Sequence, residues 1–148
     1  MIDRRLPLIA HHGIAGGDLV TLAGPALAQV DLSVVQFFTF VGNARPEAKA
    51  LLAAVEKRYG VQDAGHVLSA GGLAAANDLT HLLARAIQKA GTTDRRAVRQ
   101  ALEELREYDG AVKRLTRPFT PERHEALGPD DLFMAHFTPE GALVRIAP

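Results

Sequence analysis

ANDLTHLLARAIQKAGTTDRRAVRQALEELREYDG, from Ala76 to Gly110, holds two amphipathic segments divided by a glycine. Leu79, Leu82, Leu83, Ala86, Ile87 and Ala90 keep helical spacing until Gly91 stops them, which predicts one helix. Thr93 is placed to cap a second helix, with Ala97, Val98, Ala101, Leu102 and Leu105 facing inward. After Gly110 the character changes. AVKRLT reads as a strand, PFTPERHEALGPDD as a polar loop, and LFMAHF and ALVRI as two strands around a TPEG turn.

Upstream, Pro46 stands at the favoured first position of a helix that Gly60 ends, with Ala48, Leu51, Leu52, Val55 and Tyr59 on one stripe. Leu32 to Val41 is nearly all apolar and rich in valine and phenylalanine. That composition predicts a strand covered on both faces, as in a parallel sheet. Leu6 to Ala10 predicts a short buried strand closed by His11, His12 and Gly13. In GGDLVTLAGPALA, Asp18 is placed near a helix start and Pro25 forbids a long continuous helix. The fold class is therefore α/β, with parallel strand–helix units, three consecutive helices and a C-terminal β hairpin. Three blocks divide the chain: residues 1–42 as strand–helix–strand, 43–109 as a helical segment and 110–148 as a β tail.

At 148 residues, 47% hydrophobic and 23% charged, the chain has the composition of one globular domain. Seventeen basic residues balance seventeen acidic ones, so no net field draws it to nucleic acid or an anionic membrane. It has no cysteine, which removes disulfides and thiolate chemistry. The run LSVVQFFTFV is too short to span a bilayer as a helix. The opening MIDRRLPLIAHHG reads as lacking the apolar region of a secretion signal.

His11 and His12 follow a predicted strand and precede a glycine-rich turn, the place where open α/β sheets bind ligands. Adjacent residues on an extended segment point to opposite sides, so the pair is not read as a metal clamp. His66, His81, His124 and His136 show no metal-ligand spacing. GIAGGD, Gly13 to Asp18, lacks the lysine and hydroxyl of a phosphate loop and reads as a tight turn, although backbone amides there would also suit a carboxylate. There is no GxSxG motif, and Glu103–Glu104 and Asp130–Asp131 read as solvated or capping charges. No catalytic constellation assembles, and no cofactor is implied.

LPLIAHHGIAGGDLVTLAGPAL, FFTF with NARPEAKALLAAVEKRYG, NDLTHLLARAIQKAG with DRRAVRQALEEL, and FTPERHEALGPDDLFMAHFTPEGALVRI stand in this order along nearly the whole chain. Together they resemble the C-terminal part of type I periplasmic solute-binding proteins of the branched-chain amino-acid class, the receptors of ABC transporters. The resemblance implies two α/β lobes that close on a small ligand, and it places His11, His12 and Gly13 on the second-lobe loop lining the cleft. His12 stands where relatives offer an acidic or aromatic group, and imidazole is a poor partner for an ammonium. Asn77 stands where relatives have tyrosine, before the aspartate matched by Asp78, which leaves a polar group to be satisfied. By resemblance the chain is a non-enzymatic, periplasmic substrate-binding component with an ABC permease as partner. The first lobe and the loop that grips the ligand carboxylate precede the region of resemblance. The chain alone is therefore expected to bind branched-chain amino acids weakly or not at all, and to self-associate through uncovered strand edges. The alternatives are an interaction or sensor module on the same scaffold, without transport, and a small hydrolase using the histidine loop.

Overall fold

The computed structural model describes residues 6–17 and 19–147, so Asp18 lies outside the described residues. The main sheet begins with β1 (Pro7–Ala10), which pairs in parallel with β2 (Asp31–Gln36). Between them run a 3-10 turn at His12–Gly16, the short helix α1 (Leu19–Ala23) and a second 3-10 segment, Gly24–Gln29. α1 stops at Ala23, where Gly24 turns left-handed (φ 49°) and Pro25 stands at the start of the next 3-10 segment, so no long continuous helix forms. Three longer helices follow: α2 (Pro46–Tyr59), α3 (Ala70–Ala90) and α4 (Arg95–Glu103). A two-stranded ribbon, β3 (Tyr108–Asp109) with β4 (Arg114–Leu115), precedes the tail hairpin β5 (Phe133–Phe137) and β6 (Leu143–Arg145).

The tail returns to the first sheet. β5 lies antiparallel to β2, and the strand order is β1-β2-β5-β6. Ala135 opposite Val34 is fully buried, as is Val34 itself, so the last hairpin is part of the core. Its turn closes as the TPEG residues require: Gly141 N–H donates to the Thr138 carbonyl at 2.9 Å, with Gly141 at φ 89°. The principal core gathers Phe38, Phe40, Ala48, Val55, Val67, Ala74 and Ala111. Phe38 and Phe40 meet edge to face, with ring centres 4.8 Å apart. The amide nitrogen of Gln36, buried on the same side of β2 as Val34, has no hydrogen-bond partner among the described residues.

Several expectations are corrected. β1 is not buried: Leu8 and Ile9, whose side chains point to opposite faces of the sheet, are 49% and 75% exposed, so neither face of this strand is covered among the described residues. β2 ends at Gln36 rather than Val41, because β1 and β5 pair no further along it. Beyond that point Thr39 takes over, its hydroxyl donating to the Leu143 carbonyl and accepting from Val41 N–H. One face of this segment is fully buried and the other only half. Tyr59, at the last turn of α2, is exposed. The cap of α4 is Asp94 rather than Thr93; its carboxylate accepts from Arg96 and Ala97 N–H at 3.1 and 3.0 Å. AVKRLT keeps only Arg114–Leu115 as strand, since Ala111 and Val112 are drawn aside into a clamped turn.

Candidate functional site

His11 and His12 lie where the chain leaves the carboxyl end of β1. The backbone turns into the 3-10 segment at His12, and this brings the two imidazoles together, with centroids 3.7 Å apart and planes tilted by 43°. The expectation that adjacent side chains diverge fails here, because it holds only while the strand continues. His11 caps the turn: its Nδ1 accepts from Gly13 N–H at 3.1 Å, and its carbonyl accepts from Ile14 N–H at 3.1 Å. Gly13 permits this approach, for a Cβ there would stand 3.2 Å from His11 Nδ1.

The His12 ring meets Phe37 edge-on at 5.4 Å, and Phe37 in turn covers Gly71 in the first turn of α3. Ser69 N–H donates to the Ala15 carbonyl at 3.1 Å, which ties the loop to the start of α3. Ser69 itself adopts a left-handed conformation (φ 52°, ψ 44°), uncommon for a side-chain-bearing residue. The loop is thus fixed against β2 and α3 at the carboxyl ends of two parallel strands. Burial against its neighbours, and then the charge of His11, lower the His12 pKa below the ordinary histidine value. His12 therefore favours its neutral form at pH 7. All three predicted residues come together, on an exposed surface.

Four hollows lie elsewhere among the described residues. A cavity of about 680 Å³ opens between the Gly24–Gln29 segment and the tail hairpin. A groove of about 360 Å³ runs between α3 and the 112–127 loop, lined by Leu79, Leu82, Leu115, Phe119 and Leu127. Another of about 380 Å³ lies beside Asp78 and Tyr108, and one of about 270 Å³ beside His66. None of these is lined by His11, His12 or Gly13. No group of three or more metal-ligating side chains assembles among the described residues.

The residue that sequence reasoning undervalued is Asp78. It is 5% exposed, and its carboxylate accepts from Ala111 N–H at 2.8 Å, Val112 N–H at 2.9 Å, Tyr108 OH at 3.1 Å and Asn77 Nδ2 at 3.2 Å. Asn77, whose polar group needed a partner, finds it here. A Cβ on Gly110 would collide with Asp78 Oδ2, so glycine is required at this turn. From the other side Arg45 donates through Nε and Nη2 to the Gly110 carbonyl at 3.2 and 3.0 Å. This set clamps the 108–115 ribbon to α3 and the start of α2.

Burial, and then the Asp78 charge, push the Tyr108 hydroxyl up to about 12. The unfolded chain ionises its tyrosines near pH 10, as about 10 is the reference value. The Tyr108 contribution to stability is therefore intact below about pH 10 and is lost as pH rises toward its folded value. Absorbance at 295 nm should register Tyr108 phenolate only together with unfolding, and Tyr108→Phe should flatten the alkaline fall in stability. Ionisation of Tyr108 near pH 10 in the folded chain would contradict the clamp.

The periplasmic binding protein family profile matches residues 3–138. No curated protein sequence matches the chain. Among solved structures, a type 1 periplasmic binding protein from Bordetella pertussis Tohama I superposes with a TM-score of 0.78 at 24% identity, over 95% of this chain and 39% of that one. The leucine-binding protein LivK from Thermotoga maritima gives 0.67 at 18% identity, covering 94% and 36%. The branched-chain amino-acid transporter substrate-binding protein LivJ from Streptococcus pneumoniae, solved with isoleucine, gives 0.67 at 17% identity, covering 95% and 37%. The chain thus spans less than two-fifths of the length of these structures. It has the type I periplasmic binding protein fold along its described length, and with the match over residues 3–138 it belongs to the periplasmic binding protein family.

Proposed function

We propose that the chain serves as the C-terminal part of the substrate-binding component of an ABC-type uptake system for branched-chain amino acids or related solutes. On this reading it acts without catalysis, in the periplasm and with a membrane permease, and His11, His12 and Gly13 face the ligand cleft. Residues 1–42, 43–109 and 110–148 are then consecutive parts of one segment of a longer receptor. The observation that carries the proposal is the position of the loop: two exposed imidazoles at the carboxyl end of β1, braced by Phe37 and the start of α3. No helix among the described residues is long and apolar enough to cross a membrane, which agrees with a receptor that meets its permease from outside the bilayer.

The test is thermal unfolding of the chain and of His12→Ala with a panel of small aliphatic amino acids and their carboxylate analogues. A ligand at a hundred times its Kd stabilises the folded state by about 2.7 kcal/mol, or roughly 5–10 °C for a chain of this size. Because the segment alone is expected to bind weakly, the rise is expected in the native chain only at high solute concentration, and it should shrink in His12→Ala. An equal rise in both proteins, or none in either, would contradict the site.

Among the described residues β1 pairs along one edge only, which favours self-association as well. Leu6, just before β1, and Leu8 and Ile9 within it are 66%, 49% and 75% exposed, an apolar strand edge open to pairing among the described residues. The same edge is the observation that favours the second reading, an interaction module that uses the scaffold without transport. Light scattering across a concentration series should give a mass above that of one chain, reduced by Ile9→Lys; a single-chain mass throughout would count against association.

A further inference from the structure

The chemistry of the His11–Gly13 loop restricts what it can hold, granted the cleft reading above on which this inference rests. His11 Nδ1 accepts from Gly13 N–H, so the neutral ring carries its proton on Nε2. What His11 offers to solvent is therefore a donor. A metal ion at Nε2 would need that proton moved to Nδ1, where it would point at the Gly13 N–H. An ammonium group needs acceptors, and the loop has few to give. The described residues of the loop, 6–17, contain no aspartate or glutamate; Asp18, next in the chain, lies outside the described residues. The His11 carbonyl is engaged by Ile14 N–H and the Ala15 carbonyl by Ser69 N–H, both at 3.1 Å.

Beside the donor lies an apolar strip. His11 meets His12 at 3.7 Å, His12 meets Phe37 at 5.4 Å, and Phe37 closes on Gly71. A solute seated here meets the His11 Nε2–H at one end and aromatic ring along its body. We propose that the loop selects an organic carboxylate with an apolar body and no α-ammonium group, such as a 2-oxo acid, in preference to the corresponding amino acid.

The experiment uses the full 148-residue chain, labelled with nitrogen-15, and two probes with one carbon skeleton, 4-methyl-2-oxopentanoate and L-leucine. The oxo acid should shift the Gly13 amide and the His11 imidazole signals, with a Kd at least tenfold below that of leucine. His11→Phe, which keeps a ring and removes the donor at an exposed position, should weaken oxo-acid binding at least tenfold. If leucine shifts Gly13 as strongly at equal or lower concentration, the ligand class is wrong and the cleft reading stands. Shifts confined to residues away from the loop, such as those around Leu79 and Phe119, would overturn the cleft reading and this inference with it. Absence of any shift up to millimolar concentrations of both probes would overturn the inference.

Discussion

Asp78→Ala is expected to remove about 3–5 kcal/mol of unfolding free energy, a large share of what holds a domain of this size together. The change strands the Ala111 and Val112 N–H groups and the Tyr108 hydroxyl, which meet the carboxylate at 2.8, 2.9 and 3.1 Å. Each loses a charged acceptor in a place that water reaches poorly, and the cost is the desolvation of three donors rather than one bond. Asp78→Asn keeps the shape but turns an NH2 group toward one of the two amides, so about half of the loss should remain. Urea denaturation measures both variants. A shift below about 1 kcal/mol for Asp78→Ala would show that the ribbon is held by its apolar contacts alone.

Leu82→Ala should cost about 3 kcal/mol, whereas Leu83→Ala one position later should cost less than about 1 kcal/mol. Leu82 is 1% exposed and packs with Tyr108 and Leu115, so its truncation opens a cavity between α3 and the ribbon. Leu83 is 45% exposed and leaves little behind when removed. Equal losses at the two positions would mean that the buried face of α3 is assigned wrongly.

The helices were legible from local signals because those signals are themselves local. Pro46 and Gly60 bound α2, Gly91 ends α3, and the TPEG turn joins β5 to β6, each through backbone geometry set within a few residues. Which face of a helix is buried is a different matter. Leu79 and Leu83 have the spacing of a core stripe, yet the buried seam of α3 is Gly71, Ala74, Asp78, Leu82 and Ala86. Small residues let neighbouring elements approach closely, and hydrophobicity alone ranks them too low. The exposure of β1 was illegible for the same reason: an apolar strand looks alike whether or not anything covers it.

The candidate site divides along similar lines. His11, His12 and Gly13 could be singled out because a strand ending at a glycine turn is a local pattern. Their stacking could not, since it depends on the backbone changing conformation between the two residues. Asp78 drew notice only through its neighbour Asn77. Its backbone partners lie 33 and 34 residues later, and no local pattern announces a carboxylate that fastens a distant turn. An aspartate on the apolar seam of a helix, 4 residues before Leu82, was the available sign, because a buried charge must find donors.

The central claim is that the His11–Gly13 loop is the ligand-facing surface of this segment. A crystal structure of the chain grown with 4-methyl-2-oxopentanoate tests it most directly. Solute density is expected against His11 and His12, with its carboxylate within hydrogen-bond distance of His11 Nε2 and its branched body over Phe37. Density instead in the apolar groove between α3 and the 112–127 loop, with the histidine loop bare, would contradict it.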